Sequence, residues 1–344
     1  MDRDGYDWET PLIECPQYDI LHADLAFLRG EIEQDIKRLP SQPRLLNADC
    51  SSNKSLLTTD WQFALVTMPC WVGHALGVRD EIRQRSLAGG YYVYHHLLAL
   101  DSLIDTDQVQ AYPRKPQTGD AVVPGGKAHS LALDIAAALP VATSLAVRQF
   151  QRILESNSEF WDDFERAYTA WAETMYWERE IKSYRDISLE HGMRMESSKC
   201  APFYISSLAV CRAGGHEDRL ADVERAITTT NIAMDLVDDY SDWASDLKEG
   251  RFNSFIALAA SHGLLDSDIP TFDEMLSAIL HTSLLDLYVD KVSALAAQIE
   301  HMTDSIGATF WQPLLTDLRC HAMKQHDAFH TGFLSLSNLL FKGE

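Results

Sequence analysis

Apolar residues recur at i, i+3, i+4 and i+7 through ten stretches of the chain, near 22–38, 57–77, 79–107, 128–155, 156–183, 187–213, 218–248, 252–262, 271–302 and 308–340. Strict apolar/polar alternation is nearly absent. A period of 3.6 predicts helices with one apolar face each, and a chain built almost only of such helices predicts an all-α bundle. Pro and polar residues mark the exceptions. Residues 1–20 read as a flexible N-terminal arm, Leu39 to Arg44 as a loop, and 21–344 as one helical domain. The longest interruption, Gln108 to Lys127, carries three Pro and three Gly. A loop of that length is usually functional or disordered. Its Gly125-Gly126-Lys127 lacks the preceding strand and the spacing of a phosphate-cradling loop.

Two of the predicted helices carry acids where a solvent face or a core would not place them. Asp101 and Asp105, and then Asp238, Asp242 and Asp246, recur at four-residue intervals among Leu, Ile, Val, Tyr and Trp. That spacing stacks carboxylates on one helical face. Like charges along one stripe repel unless a cation sits between them, and hard divalent ions take oxygen ligands. Mg²⁺ in particular is held by one or two carboxylates plus substrate phosphates. Two such helices facing each other describe a diphosphate site. The Gln108–Lys127 loop, directly after the first cluster, is then expected to close over its mouth when ligand binds.

Composition narrows the partners. The chain has 344 residues, 46% of them hydrophobic, enough for a substantial core. A net charge of −22 opposes binding to nucleic acid or anionic lipid through the general field, so an anionic substrate must be captured locally. There is no run of about twenty apolar residues and no signal-like N-terminus, so the expectation is a cytoplasmic protein without stable membrane insertion. The six cysteines, Cys15, Cys50, Cys70, Cys200, Cys211 and Cys320, show no metal or redox spacing and read as reduced packing thiols. No serine elbow, HExxH or dinucleotide fingerprint is present.

The order of the remaining parts is informative. The acidic cluster at Asp101 is followed by Trp177-Glu178-Arg179-Glu180. Next come Arg194, Ser197-Ser198 and Pro202-Phe203, and then Asp238-Asp239-Tyr-Ser-Asp242-Trp-Ala-Ser-Asp246 with Gly250 and Asn253. Over roughly residues 60–255 this resembles the class I terpene synthases of the isoprenoid synthase superfamily. The resemblance implies the all-α terpenoid synthase bundle around an apolar cavity. It also implies Mg²⁺, three ions with Mn²⁺ as a substitute, on Asp101, Asp105, Asp238, Asp242 and Asp246. It makes Arg194 the diphosphate sensor and Ser197 and Ser198 the groups of the adjoining helix break, which Pro202 supports.

Departures are visible. Ser102 stands inside the first motif, and Asp replaces Asn, Ser and Glu in the second, which then reads as a literal DDxxD such as prenyl diphosphate synthases carry. The Arg-Tyr pair near the C-terminus of many members is missing, with Arg319 or Lys324 as stand-ins and Lys248 and Arg251 as further cations beside the second motif. Whether Asp107 or Asp239 also binds metal stays open.

Aromatic rings would stabilise a carbocation and exclude water. Trp61, Trp71, Tyr91, Tyr92, Phe203, Tyr204 and Trp311 are candidates, with Tyr92 and Phe203 favoured, whereas His95 and His96 read as packed histidines rather than ligands. The reading made from this order is a class I terpene cyclase that ionises a linear prenyl diphosphate, C15 first and C20 second. The alternative is a prenyl transferase, either chain-elongating or of the squalene/phytoene condensing type. Against elongation, the Gly-Gly-Lys near the N-terminus and the paired Arg after the first motif that such enzymes use for a second diphosphate are not in place. A non-catalytic isoprenoid-binding bundle is the third reading, and a homodimer is compatible with all of them.

Overall fold

A computed structural model of the chain describes residues 15–38, 60–104, 126–178 and 181–341. Among them are twelve α-helices and no strand. They are α1 (His22–Arg38), α2 (Asp60–Ala75), α3 (Asp80–Ile104), α4 (Gly126–Leu154), α5 (Ser158–Trp177), α6 (Leu189–Ser197), α7 (Ala201–Gly214), α8 (Leu220–Glu249), α9 (Ser254–Ser261), α10 (Phe272–His281), α11 (Leu284–Ser305) and α12 (Gln312–Phe341). The first fourteen residues of the expected arm, Cys50, Asp105, Asp107 and the Gln108–Lys127 loop up to Gly125 lie outside the described residues.

Local chemistry sets the helix ends. Ser188, Asn253 and Thr271 cap α6, α9 and α10, each side chain accepting the N–H three residues on. Gly250, at φ 71°, closes α8 in the left-handed conformation that glycine alone adopts without strain.

Two stretches expected as single helices are split. Between α6 and α7, the Ser197 and Ser198 hydroxyls donate back to the Arg194 carbonyl at 2.9 and 3.0 Å, and Pro202 has no N–H to give to the ladder. Between α10 and α11, Thr282 turns extended. Its hydroxyl donates to the Ala278 carbonyl at 2.6 Å and accepts the Leu284 N–H at 3.1 Å.

The chain divides into two compact units, one of Asp19–Phe160 with Ile205–Glu217 and one of Met1–Tyr18, Trp161–Tyr204 and Asp218–Glu344. In the first, α3 packs along α4, with α1 and α2 also against it. The close approach of α3 and α4 needs Gly89, where a Cβ would stand 2.5 Å from Cζ of the buried Phe150 ring. Buried carboxylates in this unit are matched to cations. Asp24, 0% exposed, takes Arg83 Nε at 3.3 Å and His74 Nε2 at 3.2 Å. Burial alone would raise its pKa, but His74 and Arg83 overcome that and hold it below the usual carboxylate range. Asp35, at 1% exposed, accepts the Tyr92 hydroxyl at 2.7 Å and Arg148 at 2.6 Å. His96 is satisfied by Thr143 at 2.8 Å.

In the second unit, α8 is the central helix, contacted by α6, α9, α11 and α12. Tyr240 of α8 stacks on Tyr288 of α11 at 4.9 Å and meets Phe255 of α9 edge-on at 5.1 Å. Gln325 of α12 accepts the Tyr288 hydroxyl and donates to Ser241 Oγ at 3.0 Å. The five cysteines within the described residues are free thiols.

Gly89→Ala should lower stability by about 1–3 kcal/mol, because the Phe150 ring cannot move aside in a packed core. Gly30→Ala, in α1 with nothing within 4 Å of the new Cβ, should gain up to about 1 kcal/mol from helix propensity. Urea denaturation of the two variants beside wild type measures both. Equal effects in the two would contradict the packing of α3 on α4.

Candidate functional site

The second acidic cluster lies wholly in the α8 unit, on the last turns of α8. Asp238 and Asp242 are exposed, Asp246 is half-buried and Asp239 is 8% exposed. The four differ because the neighbouring elements use some of them. Asp239 accepts the backbone N–H of Ser254, the first residue of α9, and is hydrogen bonded to the Glu196 carboxyl of α6. Burial and the Glu196 charge push its pKa well up. Ser254 also donates its hydroxyl to Glu196.

Asn253 is the second tie: its amide donates to the Asp239 carbonyl at 2.9 Å and to Asp246 Oδ2 at 2.8 Å, while its oxygen caps α9. Asp246 is raised to about 6 by burial. The Asn253 hydrogen bond works against that rise, and the Asp242 and Glu196 charges add to it. Asp238 is raised by burial, then by Asp242 and Glu196.

A lysine answers part of this charge. Lys199, in the break between α6 and α7, donates to Glu178 Oε1 at 2.8 Å and Glu196 Oε1 at 3.3 Å. Burial would lower its pKa, but Glu196 and Glu178 outweigh that and raise it, so the ammonium keeps its proton throughout the physiological range. Sequence reasoning gave neither Lys199 nor Glu178 a role. The available signal was position: Lys199 directly follows Ser197-Ser198 and lies three residues from Glu196, one turn of helix.

The other expected site residues are distributed as follows. Arg194 is exposed on α6, Ser197 and Ser198 spend their hydroxyls on its carbonyl, and Phe203 is half-buried on α7. Lys248 and Lys324 are exposed; Arg251 pairs with Glu249 at 2.9 Å and Arg319 with Glu300 at 3.0 Å. Tyr92 lies on α3. It is a fully buried residue of the α3 unit with its hydroxyl committed to Asp35, because a buried phenol needs a partner. Asp101 lies in the last turn of α3, and Asp105 is outside the described residues.

The donors fit a hard divalent ion. Asp238 and Asp242 are carboxylates one turn apart, open to solvent and in a field of surplus negative charge. No three His, Cys, Asp or Glu side chains among the described residues converge into a ligand set of their own.

No family model and no curated protein matches the chain. Its fold does match solved structures. A polyprenyl synthase from Caulobacter crescentus CB15, complexed with calcium and isoprenyl diphosphate, superposes with TM-score 0.60 at 17% identity over 89% of this chain and 96% of its own. A geranylgeranyl pyrophosphate synthetase from the archaeon Geoglobus acetivorans gives 0.56 at 16%, over 88% and 99%. A geranylgeranyl pyrophosphate synthase from Lactobacillus brevis gives 0.55 at 14%, over 90% and 97%. At such identities the likeness is one of fold. The chain has the helical-bundle fold of the isoprenoid synthases. These neighbours correct the cyclase reading: the matching structures are prenyl diphosphate synthases, in line with the literal DDxxD at Asp238 that motif order alone had outvoted. No described helix is long and apolar enough to cross a membrane.

The raised pKa of Asp246 has a stability consequence. A carboxyl that holds its proton more tightly folded than unfolded favours the fold below its unfolded pKa, near 3.9. That contribution is lost as pH rises through about 6. Asp246→Asn, which keeps an acceptor for Asn253, should therefore be more stable than wild type at pH 7.5 in metal-free buffer, with the difference shrinking towards pH 4. Thermal unfolding across that range reads the effect, and a constant offset would contradict it.

Proposed function

We propose that the chain is a prenyl transferase that extends an allylic prenyl diphosphate with a homoallylic one, using a divalent metal. The observation that carries the reading is the literal Asp238-Asp239-x-x-Asp242 on α8 of a prenyl-synthase-like bundle, with its outer carboxylates free to solvent and Lys199 beside them.

Asp238 and Asp242 would hold the ion, which supplies charge neutralisation at the leaving diphosphate. The remaining work falls to the chain. Lys199 is preorganised by Glu178 and Glu196 to donate N–H bonds towards phosphate oxygens at the mouth, where charge grows as the carbon–oxygen bond breaks. Asp239, tied to Glu196 and Ser254, anchors the turn that points Asp238 and Asp242 outward. Exposed Arg194, with its planar fork, is a second phosphate-binding group on α6.

Incubation with C10, C15 or C20 allylic diphosphates, Mg²⁺ and isopentenyl diphosphate should give longer prenyl diphosphates, and none when isopentenyl diphosphate is omitted. Hydrocarbon formed from the allylic substrate alone, with no chain extension, would overturn the proposal.

Asp238→Asn should lower turnover by at least about a hundredfold while leaving stability within about 0.5 kcal/mol, since an exposed carboxylate leaves no cavity and no unpaired partner. A matching loss of stability would make Asp238 a structural residue instead.

A further inference from the structure

The acidic stripe of α8 does not end at the mouth. At 3.6 residues per turn, Asn231, Asp235, Asp238 and Asp242 fall within a sector of about 60° on the helix surface. Exposure falls along it: Asp242 and Asp238 are exposed, Asp235 is half-buried, and Asn231 is 1% exposed. The stripe therefore leads from solvent into the interior of the α8 unit.

Its buried end is unsatisfied. Neither the amide nitrogen nor the amide oxygen of Asn231 has a hydrogen-bond partner, and the buried Oδ2 of Asp235, one turn nearer the mouth, has none either. The neighbours of Asn231 on α8 settle their polar groups differently. Thr229 and Thr230 bond back to the carbonyls four residues earlier, both at 2.8 Å. Asn231 has no such local outlet, and burying an amide with no partner carries an uncompensated desolvation cost. A leucine of nearly the same size would fill the position without that cost. An amide at the inner end of a polar stripe that begins at the diphosphate mouth is what a bound polar group requires.

The chemistry of the pair limits that group. A primary amide both donates and accepts, and a phosphate or carboxylate, which only accepts, would leave the amide oxygen unmatched. A group that both donates and accepts while staying neutral satisfies both residues. We propose that Asn231 and Asp235 form a subsite for an uncharged hydroxyl group, borne by a prenyl-chain alcohol, at the inner end of the α8 stripe. The choice of prenyl-chain ligands rests on the prenyl diphosphate reading above, but the hydroxyl subsite itself does not.

The test compares a C15 prenyl alcohol with the C15 hydrocarbon lacking the hydroxyl, by calorimetric titration into wild type and Asn231→Leu. Wild type should bind the alcohol at least about fivefold more tightly than the hydrocarbon, and the variant should bind the two equally. Equal affinities in wild type, or an unchanged preference in the variant, would overturn the subsite.

Failure of both C15 ligands to bind wild type would count against the prenyl reading rather than the subsite. In that event a five-carbon alcohol, 3-methyl-2-buten-1-ol, serves as the probe. It should raise the melting temperature of wild type and not that of Asn231→Leu, and equal shifts would overturn the subsite. Without ligand, Asn231→Leu should melt no lower than wild type. A drop of several degrees would make Asn231 a structural residue and end the proposal.

Discussion

Repulsion among carboxylates is the constraint around which the α8 unit is arranged. Glu178, Glu196, Asp235, Asp238, Asp239 and Asp246 all act electrostatically within one neighbourhood, with the Lys199 ammonium set between Glu178 and Glu196. Two like charges about 4 Å apart at an effective dielectric near 20 cost about 4 kcal/mol, so the group cannot be fully ionised and folded without help. Part of the help is the Ser254 hydroxyl, which donates to Glu196. Part is the start of α9, whose Ser254 N–H and Asn253 amide serve the inner carboxylates. What these devices leave unserved is the outer pair, Asp238 and Asp242, and the charge concentrated there is available to an incoming cation.

The α3 unit handles buried charge in the opposite way. Asp24 is matched by Arg83 and His74, and Asp35 by Arg148 and the Tyr92 hydroxyl, so its carboxylates are neutralised within the chain and fix the register of α1 to α4. Breaking such a pair leaves an unpaired buried charge, which is why these contacts read as scaffold. The α8 unit keeps its negative charge under-neutralised and carries unsatisfied polar groups on α8. Local departures from the rules of a stable fold of this kind concentrate where a protein binds its ligand.

A bundle of this kind needs little from its loops to define its class, and the short capped connections show it. Ser188, Asn253 and Thr271 each start a helix with a side chain that local sequence already identifies as a cap. Asn253 shows how one residue serves two levels. It closes a helix end as a cap and, through its amide, reaches back to α8 and orders the acidic turn. The same asparagine had been read as the last letter of a sequence motif, and the structure supplies the mechanical reason for its place there.

The helices were legible because their apolar period is local, and so was the stacking of the acids, which needs only the 3.6-residue repeat. The break at Thr282 was not counted as a helix end, and the one at Ser197–Ser198 was implied only by the resemblance. A hydroxyl can bond back within a helix or end it, and only the packing on either side decides which. The role of Lys199 was invisible for a related reason: its partners Glu178 and Glu196 lie 21 and three residues away, and the buried geometry that makes it the counter-ion exists only when α6 meets α8. The partner of Tyr92 was invisible in the same way, since Asp35, 57 residues away, claims its hydroxyl. The sequence by itself determined the all-helical class and the acidic stripe of α8, because spacing and residue type are carried along one helix. Only the tertiary structure decided which acids are spent on neighbours and which stay open, because burial and partners are set by helices far apart in the chain.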